Sequence, residues 1–177
     1  MSASFTIALD AMGGDNAPAI VVKGADFARR RFPGVSFRMF GDQAIIRPLM
    51  KRRKRLREIT EIVHTEDVIS NEMTVSAALR KGRQSSMQLA INSVRDGEAA
   101  GVVSAGNTGA LMAMAKLTLR TLPGIDRPAI AAIFPTIRGE SVMLDLGANV
   151  ECDAENLVQF AIMGDVFART VLGTVDP

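Results

Sequence analysis

Short apolar strands alternate with helical segments along almost the whole chain, and this alternation restricts the fold more than any other feature. Strands are predicted at residues 5–9, 35–40, 58–63, 99–103, 129–134 and 142–146. Helices are predicted between and after them at residues 20–32, 43–53, 74–81, 86–96, 107–122 and 154–172. Alternating strands and helices form a parallel sheet with helices on both faces. We therefore expect a single α/β domain over residues 1–177.

Composition supports a core and excludes several classes of function. The chain has 177 residues, of which 47% are hydrophobic, so it can bury a sizeable core. The net charge of +2 gives no general argument for nucleic acid. The single cysteine, Cys152, rules out an intramolecular disulfide and fits a reducing compartment. The N-terminus has no signal-peptide pattern and no stretch is apolar enough to span a membrane, so we expect a protein that is cytoplasmic or at most peripheral to a membrane.

Residues 101–109, GVVSAGNTG, are the most informative stretch for function. A buried strand ends near Val103, small and hydroxyl residues follow, and an apolar helix begins near Asn107. A strand that leads through such a loop into a helix N-terminus places free backbone N–H groups around an anion. The stretch lacks the Gly-Lys-Ser/Thr of a Walker loop and the first glycine of the dinucleotide fingerprint. It predicts either a phosphate site or an ordinary tight turn between a strand and a helix.

Three polar loops follow predicted strands at equivalent positions, at residues 10–16, 104–108 and 145–149. In open parallel sheets, ligands bind beyond the carboxyl ends of the strands. We therefore expect these loops to lie along one edge of the sheet and to line a shared cleft.

Five motifs carry a resemblance to a known family. They are LDAMGGDNAP at 9–18, RKGRQSSM at 80–87, VSAGNTGALMA at 103–113, GIDRPA at 124–129 and LDLGAN at 144–149. Together and in this order, they resemble the PlsX-type phosphate acyltransferases of bacterial phospholipid synthesis. The resemblance extends over nearly the whole chain, to the vicinity of Gly173.

The resemblance implies a reaction, a fold and partners. Inorganic phosphate attacks the thioester of a long-chain acyl-carrier protein, and the products are acyl phosphate and free carrier protein. The implied fold is a three-layer, Rossmann-like α/β fold similar to phosphotransacetylases and isocitrate- or isopropylmalate-type dehydrogenases. Members of the family form homodimers and associate with the inner face of the cytoplasmic membrane. The implied reaction needs no cofactor and no metal.

This chain is shorter than the members of the family it resembles, which are about twice as long. We expect this chain to correspond to the N-terminal portion of the family fold, without the amphipathic helices linked to membrane association. Two functions therefore stay open. The chain is a phosphate acyltransferase, or it is an inactive remnant that binds phosphate or pairs with another subunit.

The candidate site residues come from the loops and motifs. The expected catalytic residues are Asp10, Asn107, Thr108 and Asp145. The expected phosphate- or acyl-binding residues are Gly13, Gly14, Asp15, Arg80, Lys81, Ser104, Gly106, Gly109 and Asn149.

Each of these candidates also has a structural interpretation. The polar side chains of Ser104, Asn107 and Thr108 can donate to phosphate, or they simply cap a helix. The cations Arg80 and Lys81 supply positive charge, or they form a solvated helix end. The aspartates orient cations or accept a proton, or they tie the loops together through backbone N–H groups.

The run KRRKRLR at residues 51–57 has six cations in seven residues. A solvated helix end is the first interpretation, and an anionic partner, either a lipid surface or the acidic carrier protein, is the second. Nucleic acid ranks last because no aromatic platform accompanies the run, so we expect no nucleic-acid partner.

Overall fold

The computed structural model describes residues 4–137, 139–149 and 151–175. The chain divides between Leu119 and Arg120 into two compact units, called here the first unit and the second unit. The expectation of a single domain stays a prediction, and each unit is described by itself.

The first unit contains a four-stranded parallel sheet with the order β3-β2-β1-β4. Its strands are β1 (Phe5–Asp10), β2 (Val35–Gly41), β3 (Thr60–His64) and β4 (Gly101–Val103). Its helices are α1 (Ala19–Arg31), α2 (Gln43–Met50), α3 (Lys54–Glu58), α4 (Val75–Lys81), α5 (Ser86–Arg95) and α6 (Thr108–Leu119), with a 3-10 turn at Gly82–Gln84. The predicted parallel sheet is confirmed for this unit.

Alternating side chains direct the two faces of the sheet towards different helices. Leu9 of β1 and Phe37 and Met39 of β2 pack with buried residues of α1, α2 and α3. Ala8 and Phe40, one residue away in each strand, pack instead with Ala90 of α5. Because successive strand residues point to opposite faces, the sheet is covered by helices on both sides, as predicted.

Several helix ends follow from local sequence. Asp42, Thr74 and Ser85 accept hydrogen bonds from the N–H groups of Ala44, Ala77 and Gln88, so each caps the helix that follows. The helix predicted at 43–53 ends earlier, at Met50, and a separate short helix that was not predicted, α3, follows the turn at 51–53. The helix predicted at 107–122 ends earlier, at Leu119, and Arg120 adopts a left-handed φ of 66°.

The second unit contains β5 (Ala132–Thr136), β6 (Gly139–Met143) and α7 (Ala154–Phe167), which continues as a π-helical turn at Ala168–Leu172. Asp153 caps α7 in a capping box with Asn156. The expectation that these two strands continue the parallel sheet is wrong, because β5 and β6 pair antiparallel as a separate hairpin. Their connection is too short for the crossover that parallel strands require.

No helix among the described residues combines the length and apolarity needed to span a membrane.

Candidate functional site at the switch point of the sheet

The strand order reverses at the neighbouring strands β1 and β4. The chain builds β2 and β3 on one side of β1 and then returns to place β4 on the other side. Such a reversal is the point at which open α/β sheets bind ligands, beyond the carboxyl ends of the strands. Leu9 pairs with Val103, so Asp10 and Ser104 leave the sheet side by side. The loops predicted at 10–16 and 104–108 therefore lie at the same edge, as expected.

Asp10 is the centre of this edge and is only 2% exposed. Its Oδ1 accepts hydrogen bonds from Ser86 Oγ at 2.6 Å and from the Gly13 N–H at 3.1 Å. Its Oδ2 accepts a hydrogen bond from Ser104 Oγ at 2.7 Å. One carboxylate thus joins β1, the start of α5 and the loop after β4. This geometry fits the interpretation in which Asp10 ties loops together. A catalytic role of Asp10 stays a prediction.

Glycines bring the two loops into backbone contact. A Cβ on Gly13 would lie 2.3 Å from Asp10 Oδ2, and a Cβ on Gly14, whose φ is +102°, would lie 2.8 Å from the Ala105 carbonyl oxygen. A Cβ on Gly106 would lie 3.2 Å from the Gly13 Cα. Side chains at these positions would push the loops apart. The glycines therefore allow the loops after β1 and β4 to approach each other closely, and direct contact with phosphate stays a prediction.

Asn107 uses both ends of its side-chain amide within the protein. Its Oδ1 accepts a hydrogen bond from the Ala110 N–H at 3.0 Å and so caps α6. Its Nδ2 donates to the carbonyl oxygens of Met73 at 2.9 Å and Asn71 at 3.1 Å. This geometry fits the interpretation in which Asn107 caps a helix. Asn107 also holds the loop that precedes α4. Its catalytic role stays a prediction.

At the start of α6, the first backbone N–H groups have no acceptor among the residues that the structure describes. The first intrahelical bond runs from the Leu111 N–H to the Asn107 carbonyl oxygen, and the Ala110 N–H is capped. The N–H groups of Thr108 and Gly109 precede these bonds, so the helix itself does not use them. Both residues are exposed. Backbone N–H groups, the Thr108 hydroxyl and the helix dipole are thus what this edge offers to an anion.

Two residues that sequence reasoning missed help to build the edge. Ser86 is fully buried and supplies the shortest hydrogen bond to Asp10. Asn71 donates from Nδ2 to Asp15 Oδ1 at 2.8 Å and so links the loop after β1 to the loop before α4. The Ser85-Ser86 doublet carried a signal for Ser86, since only one hydroxyl is needed for the cap. No comparable signal marks Asn71.

Arg80 and Lys81 lie in the last turn of α4 and are exposed. The N-cap of this helix, Thr74, follows Met73, whose carbonyl oxygen accepts from Asn107, so the helix begins near the candidate site. The two cations lie about 10 Å further along the helix axis. That position suits a solvated helix end, where the dipole favours positive charge, and their role in phosphate binding stays a prediction.

Asp145, in the second unit, is held by neighbouring donors. Its Oδ1 accepts from the Ile130 N–H at 2.7 Å, and its Oδ2 accepts from the Asn149 N–H at 2.7 Å and from Asn149 Nδ2 at 2.9 Å. Burial raises the pKa of Asp145, but these hydrogen bonds outweigh burial and hold the pKa below its ordinary value of 3.8. The carboxylate is therefore charged at neutral pH. Its expected place at the same edge as Asp10 stays a prediction.

The sequence analysis also did not predict a pair of hydrogen bonds between Asp126 and Gln159 in the second unit. Gln159 of α7 accepts from the Asp126 N–H at 2.8 Å and donates to Asp126 Oδ2 at 2.8 Å. This reciprocal pair fastens the motif at 124–129 to α7.

Comparisons with known proteins agree with the resemblance found in the sequence. A family model described as fatty acid synthesis protein matches residues 5–177. The chain is 63% identical over 177 residues to the phosphate acyltransferase of Rhodospirillum centenum, covering 100% of this chain and 50% of the relative. It is 62% identical to that of Rhodospirillum rubrum, covering 100% and 51%, and 58% identical to that of Paramagnetospirillum magneticum, covering 100% and 50%. The chain spans about half the length of the curated relatives it matches.

Proposed function

The chain belongs to the fatty acid synthesis protein family, and on that premise we propose that it serves in the transfer of a long-chain acyl group from acyl-carrier protein to inorganic phosphate. The observation that carries this proposal is the identity of 63% with a phosphate acyltransferase over all 177 residues. The start of α6, at the edge beyond β1 and β4, supports it, because backbone donors at a helix N-terminus suit a phosphate dianion.

In the proposed reaction, a phosphate oxygen attacks the carbonyl carbon of the acyl thioester. A C–O bond forms, the C–S bond breaks, and the carrier protein leaves as a thiolate that takes up a proton. Phosphate is already a nucleophile at neutral pH, so the protein has to hold it beside the thioester and stabilise charge on the carbonyl oxygen. No serine, cysteine or histidine nucleophile is needed for this step.

The start of α6 is the proposed phosphate site. The N–H groups of Thr108 and Gly109 and the Thr108 hydroxyl would contact phosphate oxygens. Asp10, Ser104 and Asn107 would act on the site indirectly, because their side chains hold the surrounding loops in place. They are positioning residues in this proposal.

Acyl-carrier protein and phosphate are the proposed substrates, and a homodimer in the cytoplasm with peripheral contact to an anionic membrane is the proposed setting. The cationic segment at 51–57 supports an anionic partner. Within this segment, Leu56 is buried. Five of its cations are exposed, namely Lys51, Arg52, Lys54, Arg55 and Arg57. Since Lys and Arg near an anionic surface contribute about 1 kcal/mol each, such a segment can hold a protein at a membrane in a salt-dependent manner.

A second function, phosphate binding or subunit pairing without catalysis, has one observation in its favour. The side chains of Asp10, Ser104 and Asn107 are all engaged in holding the fold. A chain with these features can bind an anion without turning over a substrate. The two functions differ in one measurable quantity, which is phosphate-dependent release of thiol from acyl-carrier protein.

The test uses a chimera in which this chain replaces the matching half of the Rhodospirillum centenum relative. Thr108→Pro removes one N–H donor but suits the first position of a helix, where proline is well tolerated. Thr108→Val is the matched control, since it removes the hydroxyl and keeps the N–H. We expect Thr108→Pro to lower kcat/KM for phosphate by about 100-fold and Thr108→Val to lower it less. Equal rates for Thr108→Pro and the unaltered chimera would contradict the phosphate site, and a chimera without turnover would favour the non-catalytic function.

A further inference from the structure

A hydrogen-bond network, called here the Asp10 network, connects the start of α5 to the loop that precedes α6. Ser86, the first residue of α5, donates from its hydroxyl to Asp10 Oδ1 at 2.6 Å. Ser104 donates to Asp10 Oδ2 at 2.7 Å. The Ser104 hydroxyl in turn accepts a hydrogen bond from the Gly106 N–H at 3.1 Å. The network therefore ends at the residue directly before Asn107, which caps α6.

The Ser86 end of the network lies in the core of the first unit. Ser86 is fully buried, and its backbone N–H donates to the Asp67 carbonyl oxygen at 2.9 Å. Met87 and Ile91 of the same helix are also fully buried, in a hydrophobic cluster that includes Met114 of α6. The first two residues of α6 are exposed in contrast. An exposed helix start is thus connected to a residue that is fixed by close packing.

Asp10 couples the two serines because its two carboxylate oxygens belong to one planar group. An ionised carboxylate only accepts hydrogen bonds, so each serine must give its hydroxyl proton to Asp10. The Ser104 oxygen is then left with lone pairs for the Gly106 N–H. The other donors to Oδ1 are the backbone N–H groups of residues 12 and 13, which belong to the loop after β1. Ser86 is therefore the donor that ties the carboxylate to a buried helix.

We propose that Ser86 is a positioning residue for the phosphate site at the start of α6. It acts through Asp10 and Ser104, which hold the loop at 104–107 in the conformation that presents the first N–H groups of α6 to an anion. This inference rests on the proposed function for the identity of the anion. It also gives the motif at 80–87 a part in the site that does not depend on the cations of that motif.

Ser85 offers a matched control for Ser86. It is the neighbouring residue at the start of α5 and is also fully buried. Its hydroxyl donates to the Gly82 carbonyl oxygen at 2.7 Å and accepts from the Gln88 N–H at 3.2 Å, and neither bond involves Asp10. Ser86→Ala and Ser85→Ala therefore each remove a buried hydroxyl from the same helix start. Only Ser86→Ala breaks the Asp10 network.

The first test titrates inorganic phosphate into the 177-residue chain and follows the amide resonances of Thr108 and Gly109 by two-dimensional NMR. We expect Ser86→Ala to weaken phosphate binding by about tenfold and Ser85→Ala to weaken it by about twofold or less. Ser104→Ala breaks the same network, so adding Ser86→Ala to it should weaken binding by no more than about twofold further. Equal losses in the first two variants, or independent losses in the double variant, would overturn the proposal.

The second test measures hydrogen exchange in the same variants without a ligand. We expect Ser86→Ala to lower the protection of the Gly106 N–H by about tenfold relative to the amides of β2, which report global unfolding. Ser85→Ala should instead lower the protection of the Gln88 N–H, which loses its cap. If Ser86→Ala does not fold, Ser86→Cys replaces it, because a thiol is a weak donor of similar size. Unchanged protection of the Gly106 N–H would overturn the proposal.

The two tests separate this inference from the proposed function. A parent chain in which the Thr108 and Gly109 resonances do not respond to phosphate would refute the phosphate site, and exchange at Gly106 would still decide whether Ser86 holds the loop. In the chimera, Ser86→Ala should raise KM for phosphate by about tenfold and leave KM for acyl-carrier protein within about twofold. Equal rises in both KM values would overturn the positioning role, since a general loss of folded protein does not select one substrate.

Discussion

The first and second units each contain a carboxylate that sequence reasoning placed in the active site, and the two differ in how far their partners lie along the chain. Asp10 accepts from hydroxyl groups 76 and 94 residues away. Asp145 accepts from backbone N–H groups 15 and 4 residues away. Asp10 therefore stabilises the tertiary arrangement of three segments, whereas Asp145 shapes one local loop. Two aspartates, one at the end of β1 and one shortly after β6, thus perform different structural tasks.

The largest expected loss of stability comes from replacing Asp10. Asp10→Ala leaves the buried hydroxyl of Ser86, the half-buried hydroxyl of Ser104 and the Gly13 N–H without their acceptor, so we expect the free energy of unfolding to fall by about 3–5 kcal/mol. Urea denaturation followed by far-UV circular dichroism measures it, since the chain has no tryptophan or tyrosine. Asp15→Ala is the control, because Asp15 is exposed and should change stability by about 0.5 kcal/mol or less. Equal losses in both variants would remove the distinction drawn for Asp10.

A smaller loss of stability is expected when Gly13 is replaced, because the absence of a side chain at Gly13 leaves room for the Asp10 carboxylate. Gly13→Ala places a Cβ against Asp10 Oδ2 and Ser104 Oγ, so we expect stability to fall by about 1–3 kcal/mol. Gly24→Ala adds the same methyl group to open space inside a helix, and it should raise stability by about 0.5–1 kcal/mol. The same denaturation experiment compares them. A neutral Gly13→Ala would mean that the loops at this edge move apart at little cost.

The smallest and most local effect is expected at Asp145. Its lowered pKa means that its stabilising bonds are present above the pKa of the unfolded chain and are lost as pH falls through the folded pKa, below 3.8. We expect Asp145→Asn to lower the hydrogen-exchange protection of the Ile130 and Asn149 N–H groups by about tenfold at neutral pH. Parent and variant should converge only once the pH has fallen below the folded pKa of Asp145, which lies under 3.8. A constant ratio across this range would show that the charge of Asp145 has no part in holding the loop.

The sequence predicted the elements of the first unit because strand and helix periodicities and caps such as Asp42 and Ser85 are local signals. It also predicted that the loops after β1 and β4 share an edge, since parallel strands end on the same side. It did not show that Ser86 and Ser104 donate to Asp10, because such pairings depend on tertiary contacts between distant segments. The error at β5 and β6 was avoidable, since a connection of a few residues permits only antiparallel pairing.

The candidate site was predicted less completely than the fold. The residue types in the loops identified a polar, glycine-rich edge, but a side chain such as Asn107 can cap a helix or contact a ligand with the same atoms. Only the positions of its neighbours, the Ala110 N–H and the Met73 carbonyl oxygen, show which atoms are already engaged. Chemical type therefore indicated where the site lies more reliably than what each residue does there.

The span of 94 residues between Asp10 and Ser104 has a consequence for biogenesis. At about 5–20 residues per second, a ribosome needs roughly 5–20 s to synthesise that stretch. During this time the carboxylate of Asp10 has no Ser104 to bind and stays hydrated, so the loop after β1 cannot reach its final conformation. The edge that would hold phosphate is thus among the last parts of the first unit to form during translation, after β2 and β3 have become available to pair.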